Sequence, residues 1–317
     1  MKEAKKEQEK SMSIALSAGM GVFILVTALI ALMLATPFEV SDIKAFENPD
    51  DPLNPIFFFI LVIGFTAVIL IVFRFGGKIL VHFVMLAAVA VTIYYVMDGI
   101  ILYYFSTVTH LPVVSVFGLG LNIGALVITF ILALLLYTYP EWYVLDATGL
   151  VIGGGAVAIF GISLGIIPVL ILMVILAVYD AIAVYKTKHM VSLAESIVDL
   201  RIPVLFVLPR KRSFSLLRDK DQDKDNDKSE MEEAFYMGLG DAIIPSMLVV
   251  SANCMRIPAF THYLGLINAP ALGALIGTLA GYAVLSRIAG RGKPHAGLPF
   301  LNSGAIIGFV IGYILAC

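Results

Sequence analysis

The sequence predicts an all-α polytopic membrane protein with nine transmembrane helices. Of its 317 residues, 60% are hydrophobic and only 14% are charged, whereas a soluble domain carries about 25% charged residues. The charges are also clustered, and they leave uncharged runs of about 20 residues, the length that a helix needs to cross a bilayer. Because backbone polar groups must be paired inside the hydrocarbon layer, these runs are expected to be helices.

Nine apolar runs carry this prediction. We expect transmembrane helices over residues 12–35, 55–73, 79–105, 112–136, 143–164, 166–185, 234–255, 263–286 and 298–316. The first run follows a Lys- and Glu-rich segment and is too long for the apolar core of a signal peptide. We therefore expect it to be retained as the first transmembrane helix.

The distribution of basic residues predicts the orientation of these helices. With the N-terminus in the cytoplasm, 19 of the 21 Lys and Arg residues fall on the cytoplasmic side. Only Lys44 and Arg256 fall elsewhere. Because cytoplasmic loops are enriched in Lys and Arg, the sequence predicts an N-in, C-out topology.

The chain is expected to form one membrane domain over residues 1–317. Residues 12–185 supply the first six helices, residues 186–233 form a cytoplasmic loop, and residues 234–317 supply the last three helices. The loop is expected to be partly disordered, because the tract 219–233 is dense in Asp, Lys, Asn and Ser. Its stretch 202–209 is β-branched and bracketed by prolines, which predicts an extended segment.

Two aspartates lie within predicted helices, where a carboxyl group is costly and therefore indicates a functional site. Asp180 precedes Lys186 by six residues, and Asp241 follows Glu233 by eight. At 1.5 Å per residue, their depths from the cytoplasmic boundary are about 9 Å and about 12 Å. The topology therefore predicts that both aspartates lie at nearly one level on neighbouring antiparallel helices.

Two carboxyl groups at one level do not both ionise cheaply, so the pair is expected to share one proton. Peptide hydrolysis requires this state, because the ionised member accepts a proton from water while the protonated member hydrogen-bonds the scissile carbonyl. The sequence leaves open which aspartate takes which part. Gly238 and Gly240, just before Asp241, allow a close backbone approach or ordinary close helix packing.

Tyr179-Asp180 and Gly238-Leu239-Gly240-Asp241 resemble the two signatures of the presenilin and signal peptide peptidase family of intramembrane aspartyl proteases. The nine helices and the large loop before the second signature fit that family, so the resemblance covers nearly the whole chain. It implies that Asp180 and Asp241 are the catalytic pair of an aspartic endopeptidase that cleaves transmembrane helices, including signal-peptide remnants. The lack of further domains is typical of a microbial homologue, and an archaeal one is expected.

The third mark of the family is a Pro-Ala-Leu motif at the start of the last helix. A literal Pro270-Ala271-Leu272 is present, but Pro270 precedes Arg287 by 17 residues and lies about 25 Å from the cytoplasmic boundary. Pro299-Phe300-Leu301 begins the ninth helix at the level of the aspartates. We therefore assign the motif to residues 299–301, with Phe in place of Ala.

A protease in lipid must also unwind its helical substrate, and an exposed strand edge does this by adding the substrate as a strand. The extended segment 202–209 is the candidate, and we expect Ile202, Val204, Phe206 and Val207 to contact substrate. The alternative is an ordinary amphipathic loop packed on the membrane surface.

Several other residues are assigned no role in the chemistry. Glu141 and Asp146 are interpreted as interfacial anchors, and Gly153-Gly154-Gly155 as a site of close helix packing. Asp98 is expected to be solvated near the outer interface, and Tyr179 either hydrogen-bonds near the aspartates or packs. The five histidines and two cysteines fit no metal spacing, so no metal and no cofactor beyond a catalytic water are expected.

The competing function is a secondary transporter or cation channel, in which paired intramembrane acids bind protons or metal ions. Transporters often carry repeats with matching sites in both halves, whereas both acids here lie on adjacent helices of the second half. The expected partners are transmembrane-helix peptides and the lipid bilayer, with a possible homo-oligomer and no nucleic acid. The expected location is the cell membrane of a microbe.

Overall fold

The structure, a computed structural model, is a bundle of helices joined by short strands. It describes residues 2–105, 113–116, 119–187, 204–210, 214–216, 234–255, 262–263, 266–289 and 295–316. The α-helices in this part of the chain are α1 (Lys2–Val40), α2 (Asn54–Phe105), α3 (Ile123–Thr138), α4 (Trp142–Ser163), α5 (Ile166–Ile182), α6 (Leu239–Asn253), α7 (Ala269–Ala289) and α8 (Leu298–Ala316). A π-helical turn, Ala183–Thr187, continues α5.

The described strands form three antiparallel pairs. β1 (Val113–Val116) pairs with β2 (Leu119–Asn122), β3 (Leu205–Pro209) with β4 (Ala234–Gly238), and β5 (His262–Tyr263) with β6 (Ile267–Asn268). Six described helical stretches are long and apolar enough to cross a membrane, and three shorter apolar helices accompany them. The predicted all-α polytopic membrane fold is confirmed.

Three predicted helices are shorter than expected because strands replace their first residues. β1 and β2 precede α3, β4 precedes α6, and β5 and β6 precede α7. All three segments are apolar and rich in β-branched or aromatic residues. Such short runs suit a strand as well as a helix end, and only their pairing partners decide between the two.

The predicted second and third helices lie in one helical element, α2, whose backbone stays helical across residues 74–78. Phe58 near its start packs edge-on against Phe160 of α4, with ring centroids 4.7 Å apart. Val96 near its end lies against Gly155 of α4, five residues before Phe160. Because a straight helix would separate residues 58 and 96 by about 57 Å, α2 bends back so that both of its ends reach α4.

Helix α6 lies at the centre of the bundle, and its residues 244–252 are buried without a break. Helix α4 packs closely against α1 and α2, because Gly154 lies against Ile30 of α1 and Gly155 against Val96 of α2. A Cβ atom at either glycine would collide with these side chains. The predicted close helix packing at residues 153–155 is confirmed.

Helices α7 and α8 are in direct backbone contact. The contact is made by three glycines on each helix at four-residue spacing, Gly273, Gly277 and Gly281 on α7 and Gly304, Gly308 and Gly312 on α8. Small residues at this spacing let membrane helices approach closely. This packing holds the start of α8 beside the end of α7 on the predicted cytoplasmic side.

The interpretation of Glu141 and Asp146 as interfacial anchors is wrong. Both side chains are buried, each with 5% exposure. Asp146 accepts a hydrogen bond from the backbone of Val207, and Glu141 accepts hydrogen bonds from Ser215 and Leu216. Residues 205–209 and 214–216 of the loop are therefore attached to α4. Most of the rest of the 186–233 loop, including the tract expected to be disordered, lies outside the described residues.

Candidate active site

Asp180 lies near the end of α5, on its buried face, and only 7% of it is exposed. Its Oδ2 atom accepts a hydrogen bond from the backbone N–H of Leu298, over 3.1 Å. The backbone N–H of Gly297 also donates to this carboxyl group. Leu298 is the first residue of α8, and the first N–H groups of a helix have no partner within it. Asp180 therefore caps α8 and is held by two backbone donors.

Asp241 is the third residue of α6 and is half-buried. A Cβ atom on Gly297 would lie 3.0 Å from both of its carboxylate oxygens, so the absence of a side chain at residue 297 leaves room for Asp241. The charge of Asp180 acts on Asp241. The two aspartates, 61 residues apart in the chain, therefore meet at Gly297–Leu298.

The residues just before Asp241 link the strand pair β3–β4 to α6. Gly238 ends β4 and caps α6, and the N–H of Leu239 donates to the carbonyl of Val204 over 3.0 Å. Gly240 is exposed, and a Cβ atom there would meet no heavy atom within 4 Å. The chain is therefore open on the side of Gly240, the residue before Asp241.

Tyr179 packs against α2. Its ring meets the ring of Phe59 edge-on, with centroids 5.9 Å apart. Of the two roles that the sequence left open for Tyr179, packing is the one for which the structure provides a contact.

The first turn of α8 includes Pro299, Phe300 and Leu301. These residues directly follow Gly297 and Leu298, whose backbone N–H groups donate to Asp180. Leu301 is fully buried, and the backbone of Phe300 lies against Gly281. By contrast, Ala269–Pro270 lie against Gly312, near the other end of α8. The structure thus brings residues 299–301 to the aspartates and keeps residues 270–272 away from them.

The segment expected to bind substrate forms β3, as its extended character predicts. Phe206 is fully buried and stacks on Phe23, with ring centroids 4.7 Å apart, and Val207 is 3% exposed. The N–H of Val207, which points away from β4, donates to Asp146 over 2.8 Å. The edge of β3 is therefore occupied at Val207, which corrects the expectation that Phe206 and Val207 offer a free edge. Ile202 lies outside the described residues, and Val204 bonds to Leu239.

The strand paired with β3 leads directly to the second aspartate. Val207 of β3 is opposite Tyr236 of β4 in the antiparallel register, and β4 ends at Gly238, three residues before Asp241. The two-stranded sheet therefore adjoins the candidate active site.

Gly297 and Leu298 belong to the site but were not predicted from the sequence. Leu298 contributes only a backbone N–H, which every residue except proline has, so its type carries no signal. Gly297 lies directly before the Leu-Pro that begins an apolar run, and this pattern could have predicted a turn at the start of α8. Tyr282 of α7 also lies close enough to Asp241 for the charge of that carboxyl group to act on its hydroxyl group.

Two neighbouring carboxyl groups suit acid–base chemistry. Within the described part of the chain, no group of three or more His, Cys, Asp or Glu side chains is arranged to hold a metal ion.

Comparison with known proteins agrees with this geometry. The family model described as "Signal-peptide peptidase, presenilin aspartyl protease" matches residues 20–317. Two solved structures, each described as a presenilin family intramembrane aspartate protease, are similar over 94% of this chain and 97% of theirs. The structure in space group C222 is 33% identical with a TM-score of 0.64, and the structure in P2 is 34% identical with a TM-score of 0.66. No curated protein matches the chain in sequence. The predicted presenilin-like fold is confirmed.

Proposed function

Because the chain belongs to the signal-peptide peptidase and presenilin family of aspartyl proteases, we propose that Asp180 and Asp241 are its catalytic pair. Membership makes the protein an aspartic endopeptidase embedded in the membrane as a multi-pass chain. The proposed reaction is hydrolysis of peptide bonds within transmembrane helices, including those of signal-peptide remnants. The single observation that carries the proposal is the convergence of both aspartates on Gly297–Leu298.

The proposed chemistry uses one shared proton and one water molecule. The ionised carboxylate takes a proton from water as the water attacks the scissile carbonyl carbon, and the protonated carboxyl group donates a hydrogen bond to the carbonyl oxygen. Collapse of the tetrahedral intermediate breaks the C–N bond, and the departing amine takes up the proton that the carboxylate accepted from water. The two backbone donors at Asp180 orient its carboxyl group throughout, and no cofactor is required.

The position of the β3–β4 pair supports a route by which a helical substrate is unwound. A peptide that adds to this sheet as a strand satisfies its own backbone groups while it leaves the helix. Because β4 ends at Gly238, three residues before Asp241, a segment paired with the sheet is led towards the catalytic pair.

The test is incubation of the purified protein in detergent with a single-span peptide, followed by mass spectrometry of the products. The proposal predicts cuts inside the apolar segment and a rate that passes through a maximum with pH, because one carboxyl group must be charged and the other neutral. The competing function, an ion or proton carrier, predicts flux across vesicles without cleavage. Intact substrate at every pH, with flux present, would overturn the proposal.

A further inference from the structure

A buried amide in α8 forms a second polar link between α8 and α5. Asn302 is 1% exposed, and its Nδ2 atom donates to the backbone carbonyl of Met173 over 2.9 Å. Met173 lies in the middle of α5 and is fully buried. A carbonyl oxygen has two lone pairs, so it can accept this bond as well as one from within its own helix.

The amide of Asn302 is costly where it lies. Met173 and Leu176 of α5 and Ala305 of α8 belong to one apolar core cluster. Within the described part of the chain, no group donates a hydrogen bond to the buried Oδ1 atom of Asn302, and an unsatisfied buried polar atom is unfavourable for folding. An apolar side chain would avoid this cost, but it would not form the bond to Met173. The bond therefore indicates a role other than stability.

The two bonds between α5 and α8 lie on one face of each helix. Asp180 follows Met173 by seven residues on α5, and Asn302 follows Leu298 by four on α8. Spacings of seven and four residues return to the same face of an α-helix. At 1.5 Å per residue, they separate the two bonds by about 10 Å along α5 and by about 6 Å along α8. The pairing order makes the two helices antiparallel.

We propose that Asn302 is a positioning residue that fixes the rotation and height of α8 against α5, so that the N–H groups of Gly297 and Leu298 face Asp180. This inference rests on the proposed function and adds to it a residue that acts through Asp180 rather than on the substrate. One bond at the end of a helix leaves that helix free to turn about the bond. A second bond one turn further along α8 removes this freedom.

The packing of α8 on α7 does not fix this height by itself. Its glycine contacts repeat every four residues on both helices, at residues 273, 277 and 281 and at residues 304, 308 and 312. A repeat of this kind presents a similar surface to α8 when α8 is displaced by one turn, about 5.4 Å. Such a displacement would break the Asn302–Met173 hydrogen bond, because a hydrogen bond requires its donor and acceptor within about 3.2 Å.

The experiment uses Asn302→Leu, which keeps the number and branching of the heavy atoms but has no polar atom. It is tested alone and together with Leu298→Pro, which removes an N–H that donates to Asp180. Ser251→Ala is the matched control, because Ser251 is also buried and donates to the backbone carbonyl of Leu164. KM and kcat are measured on a single-span peptide, and hydrogen exchange at Leu298 is measured by mass spectrometry in N302L and S251A.

We expect N302L to lower kcat about three- to tenfold, the scale of one hydrogen bond between membrane helices. KM should stay within about twofold of wild type, because Asn302 is buried between α5 and α8. The double variant N302L/L298P should have the kcat of L298P alone, because the bond that Asn302 positions is already absent. Exchange at Leu298 should be faster in N302L, and S251A should change neither kcat nor exchange.

Multiplication of the two losses in the double variant would show that Asn302 acts independently of the Leu298–Asp180 bond, and it would overturn the inference. An unchanged kcat or an unchanged exchange at Leu298 in N302L would also overturn it. If N302L does not fold, Asn302→Ala takes its place in the same measurements, and failure of both variants to fold would overturn the positioning role in favour of a structural one. Absence of cleavage by the wild-type protein would instead overturn the proposed function, while exchange at Leu298 still tests whether Asn302 positions α8.

Discussion

The backbone N–H of Leu298 and the carboxylate of Asp180 form a 3.1 Å hydrogen bond that joins the start of α8 to the end of α5. An acid at a helix N-terminus satisfies a donor that the helix itself cannot pair. The bond also places Gly297 beside Asp241. The turn Gly297–Leu298 therefore contacts both aspartates.

Removal of this donor should impair catalysis more than folding. Proline is tolerated at the first position of a helix, where its missing N–H costs no helical bond, so Leu298→Pro deletes the bond to Asp180 selectively. Because a hydrogen bond to a charged group contributes about 1.5–3 kcal/mol, kcat should fall about tenfold to a hundredfold. Leu298→Ala keeps the N–H and should stay within about threefold of wild type. Equal activities of the two variants would contradict this role.

Addition of one methyl group at Gly297 should displace Asp241. The new Cβ atom of Gly297→Ala would lie 3.0 Å from both carboxylate oxygens, and a catalytic group misplaced by about 1 Å costs about a hundredfold in rate. Gly64→Ala is the control, because its Cβ atom would meet no heavy atom within 4 Å. The measurement is the steady-state kcat/KM of both variants on a single-span peptide. Wild-type activity of G297A would show that Asp241 does not need this space.

The two Pro-containing motifs should differ in their effect on activity. Pro299 stiffens the turn that carries the donors to Asp180, and replacement of proline by alanine restores about 0.4–1 kcal/mol of chain freedom. We expect Pro299→Ala to lower kcat/KM about two- to fivefold. Pro270→Ala, near the far end of α8, should leave it unchanged. The reverse order of the two effects would assign the motif to residues 270–272.

The positions of the two aspartates and of Pro299 are predictable because they follow from the pattern of charge and hydropathy along the chain. The clustered Lys and Arg residues predicted the common depth of Asp180 and Asp241, and the same topology chose Pro299 over Pro270. The strand β4 was missed because five apolar residues that run into a helix have no period of their own. Its partner β3 lies 25 residues or more away in the chain, and a local sequence pattern does not predict a pairing over that distance.

Tertiary contacts account for the other misses. Asp146 was interpreted as interfacial because its neighbours, Glu141 and Trp142, suit a membrane boundary. Its burial follows from a bond to Val207, and no local pattern encodes a contact across 61 residues. The same bond occupies the edge of β3 at Val207.

Contact between α7 and α8 should limit stability. A Cβ atom on Gly277 would collide with the backbone carbonyl of Gly304, which forces the helices apart. Gly277→Ala should therefore destabilise the protein by about 1–3 kcal/mol and lower its unfolding temperature in detergent. Gly21→Ala, whose Cβ atom would lie 3.6 Å from the ring of Tyr282, meets ordinary contact distances and should not. Equal unfolding temperatures would show that the helices are not tightly packed.

The most direct test of the central claim is kcat/KM for Asp180→Asn, Asp241→Asn and the double variant on one single-span peptide. If the aspartates act as one catalytic unit, each single substitution should reduce kcat/KM by about 10²–10⁴-fold, and the double variant should be no worse than the poorer single one. Retention of more than about a tenth of wild-type activity by either single variant would contradict the account.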